Sequence, residues 1–250
     1  MGIDRLQHNF KKIVFVSEWQ KKMFERHHNV DPNKGIVIGN GVNPFPAYEK
    51  PRDCINLVYC STPFRGLDVL LEAFKMLPEL GIKSPPIYLH VFSGMKIYDR
   101  DESEYQKLYD ALRQTPNVRY HGPVSPAYLH DWLARYGHIL TYPNTWEETY
   151  CMAVHECMSA NLVILCPDRG ALKETAAYGQ FYATDEYLKT LASHEHAEVF
   201  AKAIRHAIEY YYLSPSWREK TLRDQKLFAD HRSWDTMARC WEILLQMEGL

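Results

Sequence analysis

The stretch His138-Ile139-Leu140-Thr141-Tyr142-Pro143-Asn144-Thr145-Trp146-Glu147-Glu148-Thr149-Tyr150-Cys151-Met152-Ala153-Val154-His155-Glu156-Cys157-Met158-Ser159-Ala160-Asn161-Leu162-Val163-Ile164-Leu165-Cys166 decides the fold. Its first five residues, 138–142, are an apolar run of the kind found in buried parallel strands. Pro143 and Asn144 stop the strand and open a turn. Glu147 and Glu148 follow. Residues 149–158 have helical spacing, with Met152, Ala153, Glu156 and Cys157 on neighbouring faces. Asn161 ends that helix, and residues 162–166 form a second buried strand. Strand, loop, helix and strand in that order predict an open parallel sheet. Ligands of such sheets bind in the crevice beyond the carboxyl ends of the strands. The loop that carries Glu148 lies at such an end. The amides of Thr149, Tyr150, Cys151 and Met152 are expected at a helix N-terminus, where free N–H groups suit an anion.

The same alternation extends outward. Residues 12–17 read as a strand, with Ser17 capping a helix over 18–28. A short strand at 35–38 runs into the turn Gly39-Asn40-Gly41-Val42-Asn43-Pro44. A polar, proline-containing linker over 47–53 leads to a strand at 54–60. Its exit loop is Ser61-Thr62-Pro63-Phe64-Arg65-Gly66-Leu67-Asp68. A helix over 69–77 places Leu70, Leu71, Phe74 and Leu77 on one side and stops near Pro78. Further strands fall at 87–92, ending at Ser93-Gly94, and at 117–120, leaving through His121-Gly122-Pro123-Val124-Ser125. Helices are expected at 102–113 and 128–136. After Cys166 come the loop Pro167-Asp168-Arg169-Gly170, a short strand near 180–182, a helix over 197–212 and two final helices. No internal repeat or low-complexity tract interrupts residues 69–250.

Composition bounds the reading. A chain of 250 residues with 46% hydrophobic residues and a net charge of −2 has material for one large or two small domains. The near-neutral balance, with basic residues dispersed, argues against nucleic acid as a partner. No apolar run approaches the roughly 20 residues of a membrane span. The first twelve residues lack the apolar core of a secretory signal. The six cysteines occur without a Cys-x-x-Cys pair and read as small core fillers, which makes a reducing cytoplasm the expected setting. The twelve histidines are scattered. His27-His28 and the His194/His196 pair lack partners at ligand spacing and read as surface residues.

Seven residues separate Glu148 from Glu156, and Cys157-Met158-Ser159-Ala160-Asn161-Leu162-Val163 follows. This resembles the E-x7-E signature of retaining GT-B glycosyltransferases of the glycogen-synthase-like group. That family reads Pro-Ser, Glu, Gly-Phe-Gly, then Glu-Ala-Met-Ala and a small-residue turn into a strand. Here Pro143 matches, Asn144 replaces Ser, Thr149-Tyr150-Cys151 replaces Gly-Phe-Gly, and Cys157-Met158-Ser159 replaces Ala-Met-Ala. Arg65-Gly66 fits the slot of the family's Lys-Gly before a helix, whereas Ser61 or Thr62 stands about where the family has an earlier Arg, so one cation is missing. Gly170 fits a Gly-Gly-x-x-Glu loop, with Arg169 for the first Gly. Asn40-Gly41-Val42-Asn43 is similar to the family's Pro-Asn-Gly-Val-Asp hinge. A bare turn at 40–41 explains that motif equally, and a plain strand-to-helix turn explains Pro123-Val124.

The resemblance implies an α/β, Rossmann-like doubly wound parallel sheet, the C-terminal half of a GT-B fold. Residues 1–45 would be the end of the N-terminal domain and the hinge. Residues 46–212 would bind a nucleotide sugar, and 213–250 would be helices crossing back toward the first domain. The family's N-terminal Rossmann-like domain, well over a hundred residues, would precede residue 12, so the chain reads as a C-terminal half with a stub. Glu148 and Arg65 would be catalytic, with Arg65 neutralising the diphosphate. The donor would be held by Ser61, Thr62, Gly66, Gly94, Pro123, Val124, the amides of Thr149, Tyr150, Cys151 and Met152, and Glu156 on the ribose hydroxyls. The expected ligand is a UDP-, GDP- or ADP-sugar used as substrate, with no cofactor and no metal. The acceptor would be a sugar, protein or lipid, and the missing half or a partner chain would complete the site. Phe15, Trp19, Trp234 and Trp241 would be incompletely covered, which favours self-association. Two other readings stay open: a nucleotide-sugar-binding module without catalysis, and a GT-B epimerase or phosphorylase.

Overall fold

A computed structural model describes residues 9–82, 85–95 and 101–249. The start of the N-terminal segment read above as lacking a signal core, residues 1–8, lies outside the described residues. The chain opens with β1 (Ile13–Phe15), α1 (Glu18–His28) and β2 (Gly35–Val37), and the two strands form a small parallel sheet of their own. Ser17 caps α1 as its sequence position predicts, its hydroxyl accepting from the Gln20 amide at 3.0 Å.

The main sheet is built from β3 (Ile55–Tyr59), β4 (Ile87–Val91), β5 (Val118–Tyr120), β6 (Ile139–Thr141), β7 (Val163–Asp168) and β8 (Gln180–Thr184). All neighbours are parallel, in the order β5-β4-β3-β6-β7-β8. Helices α2 (Leu67–Met76), α3 (Gln106–Gln114), α4 (Pro126–Tyr136), α5 (Met152–Ser159), α6 (Leu172–Thr175), α7 (Asp185–Leu188), α8 (Ser193–Leu213), α9 (Pro215–Asp230) and α10 (Trp234–Met247) make the connections and the tail. Every residue of β3 is buried, and Leu57, Leu140 and Ile164 have no exposed surface. Each such side chain contributes roughly 1.5–3 kcal/mol. A continuous apolar strand survives only where both of its faces are covered, as in a parallel sheet flanked by helices. α2 packs on α8, and α5 packs on α9.

The chain lays β3, β4 and β5 down in one direction and then returns to place β6 on the other side of β3. The strand order therefore reverses between β3 and β6. Loops leaving these two neighbours face each other across the crevice.

Several sequence expectations shift. The helix expected from 149 starts only at Met152. The helix expected at 102–113 is a 3-10 turn, Ser103–Tyr105, followed by α3. β7 runs on through Pro167 to Asp168, with a register shift against β8 between Cys166 and Asp168. A proline lacks the N–H that the ladder needs, so a strand carrying one becomes irregular there. Phe15, expected to be open, is buried.

The tail crosses back over the first segment. Val42 bridges Ser233, the Val42 amide donates to Arg232 O at 2.9 Å, and Lys11 Nζ donates to Glu248 O at 2.9 Å. Trp234 and Trp241 remain 50% and 44% exposed.

Two buried polar groups of the core, His138 and Lys50, are fully engaged. His138 accepts from the Asn56 amide at Nδ1, so its Nε2 carries the proton given to Pro51 O, 2.9 Å in each case. Burial holds this ring neutral, with a pKa lowered to about 4. Lys50 donates to the carbonyls of Leu133, Gly137 and Ala160, at the carboxyl ends of α4 and α5. An ammonium there answers helix carbonyls that have no partner within the helix.

Candidate functional site

The site begins with the pairing of β3 and β6. Leu57 lies opposite Ile139 and Val58 opposite Leu140. That register brings the loop after Tyr59 beside the loop after Thr141. Gly66, at φ 93°, turns the first loop into α2; a Cβ there would stand 2.7 Å from Pro143 O in the second. Only glycine combines that left-handed backbone with so close an approach.

Across this contact Arg65 Nη1 forms an ion pair with Glu148 Oε1. The Tyr142 hydroxyl donates to the same carboxylate oxygen at 2.5 Å, and Arg65 Nη1 lies 3.5 Å from the Tyr142 oxygen. The Ser61 hydroxyl also reaches the Tyr142 phenol. Burial pushes the Tyr142 pKa well above its ordinary value, so the phenol keeps its proton and serves as a donor. Glu148 itself is only 5% exposed. A carboxylate so deep needs a cation, and Arg65 supplies it. Among the described residues, only Nη1 of the guanidinium has an acceptor, which leaves Nε and Nη2 for a ligand. The guanidinium also lies over the Phe64 ring, which meets exposed Trp146 edge-on at 5.7 Å.

The backbone of Glu148 is fixed from a third side. Gly170 has φ 59°, and a Cβ on it would meet Glu148 N and O at 2.6 Å each. The Ala171 amide donates to Glu148 O at 2.8 Å. Gly170, placed in the sequence by its likeness to a Gly-Gly-x-x-Glu loop, packs against the Glu148 backbone.

Between Glu148 and α5 the loop departs from expectation. Thr149 and Tyr150 precede the helix, so their amides are not in its first turn; Cys151 is the N-cap and Met152 the first helical residue. Cys151 has φ 79° and ψ 84°, a region L-residues rarely enter, where the resembling family carries glycine. Its thiol is buried, and desolvation pushes its pKa up to about 12, so it keeps its proton at neutral pH. Tyr150 points away from the crevice. Its hydroxyl donates to Asn40 O at 2.8 Å and lies 3.2 Å from His155 Nδ1, which pins the loop to the first segment.

Glu156 lies one turn into α5. Its Oε1 sits 3.3 Å from His130 Nε2 on α4, and burial raises its pKa. Gly94 lies against Pro123 and Glu102, whose carboxylate accepts from the Met95 amide at 2.6 Å. Pro123 is exposed and Val124 half-buried beside it. The Thr62 hydroxyl is buried and has no partner among the described residues, so it does not face the crevice as expected of a phosphate ligand. The structure thus joins Arg65, Glu148, Gly66 and Gly170, with Ser61 beside them. Gly94, Pro123 and Val124 form a second cluster at the ends of β4 and β5. Tyr142 and His130 were missed. Tyr142 reads only as the end of an apolar strand, and His130 as one of many scattered histidines.

Other residue readings divide. All six cysteines are free, with Cys60 and Cys157 sulfurs 3.6 Å apart in the core. His196 is not a surface residue: it is buried, 2.6 Å from the Tyr182 hydroxyl. Among the described residues no group of three His, Cys, Asp or Glu is arranged to hold a metal, and no helix is long and apolar enough to cross a membrane.

A parallel sheet of this order, flanked by helices and carrying a charged crevice at its reversal, is a Rossmann-like doubly wound unit. The chain belongs to the family described as glycosyl transferases group 1, which matches residues 60–223. No curated protein matches it in sequence. Among solved structures it resembles a glycosyltransferase from Rickettsia africae (17% identity, 94% of this chain, 63% of that one, TM-score 0.70). It also resembles a sucrose-phosphate synthase from Thermosynechococcus elongatus (15%, 98%, 60%, 0.71). A third is Anabaena Alr3699/HepE in complex with UDP and glucose (13%, 99%, 66%, 0.66). At these identities the likeness carries the fold, that of a GT-B glycosyltransferase half. The chain spans 60–66% of the length of these three structures.

Proposed function

We propose that this chain is the donor-binding half of a retaining glycosyltransferase of the glycogen-synthase-like kind, taking a nucleotide-diphosphate sugar without a metal. One observation carries the reading. Arg65 and Glu148, 83 positions apart in sequence, meet at the carboxyl ends of adjacent parallel strands where the strand order reverses. Family membership and a neighbour crystallised with UDP and glucose support it.

In this reading the free edge of Arg65 and the first-turn amides of α5 from Met152 onward face the diphosphate. They stabilise the charge that develops as it leaves. Ser61 adds a hydroxyl at the rim. Glu148, locked in place by Arg65, Tyr142 and Gly170, presents its second oxygen toward the sugar. Glu156 accepts from ribose hydroxyls; a carboxylate accepts and never donates when ionised, so it selects hydroxyl donors. Gly94, Pro123 and Val124 form the wall for the base. Thr62, Thr149 and Tyr150 serve the loops rather than the ligand. Residues 46–212 are the donor domain, 1–45 the hinge side and 213–250 the returning helices.

Transfer needs a second wall that binds the acceptor sugar, protein or lipid, excludes water and aligns the nucleophile. The 250-residue chain is therefore expected to bind donor but to transfer sugar far below the order of 1 per second usual for enzymes. Calorimetry with UDP, GDP and ADP and their glucose esters, with and without chelator, tests the reading. Metal-independent binding of at least one pair is expected. No binding of any, or binding lost with chelator, would refute it.

A further inference from the structure

Glu156 is not alone at its site. α4 is capped by Ser125, whose hydroxyl accepts from the Tyr128 amide, and its second turn presents His130 to the second turn of α5. His130 Nε2 lies 3.3 Å from Glu156 Oε1, with both side chains about a quarter exposed (29% and 25%). The imidazole cannot swing freely. Phe45 meets it edge-on at 4.9 Å, and Phe45 is itself fastened by its amide to Ser159 Oγ and by its carbonyl to Lys226 Nζ. Among the described residues, Oε1 has His130 as its partner and Oε2 has none. One oxygen is therefore held by the protein, and the other has no partner among the described residues.

We propose that His130 is a positioning residue for the donor site, holding the Glu156 carboxylate by one oxygen so that the other accepts the ribose hydroxyls. The proposal rests on the assignment of Glu156 to the ribose. An ionised carboxylate only accepts, so Nε2 carries the proton in the resting state. The pair has a second consequence. Burial raises the pKa of Glu156, while the charge of protonated His130 and its hydrogen bond oppose that rise. Few other ionisable groups face the pair. The Cys157 thiol on α5 is kept neutral by burial. Lys50 in the linker holds the far ends of α4 and α5, and Lys226 and Asp230 on α9 meet Ser159 at the end of α5. Removing His130 should therefore move the acid limb of nucleotide binding to higher pH.

The test uses the tightest-binding nucleoside diphosphate of UDP, GDP and ADP, its 2′,3′-dideoxy analogue, and the whole chain as wild type, His130→Ala and His130→Gln. Titrations run from pH 5 to 8, and ratios of variant to wild-type affinity cancel the ligand's own phosphate titration. His130→Ala should weaken the ribose ligand by about tenfold, the loss of one charge-assisted hydrogen bond. It should leave the dideoxy ligand nearly unchanged. His130→Gln should restore most affinity at pH 7.5, because an amide also donates, yet keep the acid limb displaced upward. Equal weakening of both ligands would show a merely structural role and overturn the proposal. So would an acid limb that does not move in either variant. Should the wild type itself fail to distinguish ribose from dideoxyribose, the Glu156 assignment falls and the proposal with it.

Discussion

Glu148 and Glu156 sit on one loop-helix unit with seven residues between them, yet their surroundings differ. Glu148 is sealed: a guanidinium and a phenol converge on one oxygen, and Gly170 and Ala171 pack on its backbone. Glu156 is half open, with the His130 imidazole as its one side-chain partner among the described residues. A sealed carboxylate contributes to the fold and is rigid when ligand arrives. A half-open one costs the free chain some stability and is ready to bind. Under the proposed function, two acids that look alike in sequence divide the work by burial.

The largest effect should come from breaking the sealed side. Arg65→Ala strands a buried carboxylate, and removing one partner of such a pair costs about 3–5 kcal/mol. Denaturant unfolding should show a loss of that size. The double variant Arg65→Met/Glu148→Gln, which removes both charges, should recover most of it. An Arg65→Ala chain as stable as the wild type would mean that the pair is only a surface contact.

The half-open side should respond in binding. Glu156→Ala should weaken nucleoside affinity by roughly 1.5–3 kcal/mol, the range for a hydrogen bond to a charged group, with the unfolding midpoint nearly unmoved. A shifted midpoint with unchanged affinity would reverse the comparison.

The smallest effect is in pH. Burial raises the pKa of Glu156 above 4.5 in the folded chain. A raised carboxyl favours folding below its unfolded pKa, and that contribution disappears as pH rises through the folded value. At neutral pH the charged form is therefore a burden on the free chain. Glu156→Gln should make the chain slightly more stable at pH 7, with the difference vanishing below pH 4.5. A variant less stable than wild type at pH 7 would show that Glu156 is held as tightly as Glu148.

Much of this was legible in the sequence. The apolar runs at 138–142 and 162–166 place β6 and β7, because only a doubly covered strand is apolar throughout. Glu148, Glu156, Arg65 and Gly170 stand out through the resemblance to the glycosyltransferase motifs. The start of α5 was misplaced by three residues. Thr149 and Tyr150 fit a helical pattern, but Tyr150 finds Asn40 O, 110 positions away, and Cys151 takes a left-handed backbone that no local signal marks. Tyr142 and His130 were invisible for a related reason. Each matters through a partner on another element, and periodicity reports only which face a residue shares with its own element. Thr62 was misread because a hydroxyl in an exit loop looks exposed until Tyr59 donates to the Thr62 carbonyl at 2.6 Å and the turn is drawn inward.

The division of labour is tested most directly by comparing nucleoside with nucleoside diphosphate. Affinities of both ligands, measured by calorimetry for the wild type and for Arg65→Met/Glu148→Gln, give the contribution of the diphosphate in each. The account predicts that the wild type gains affinity from the diphosphate, that the double variant loses most of that gain, and that nucleoside affinity stays the same in both. An undiminished diphosphate gain in the double variant would contradict it.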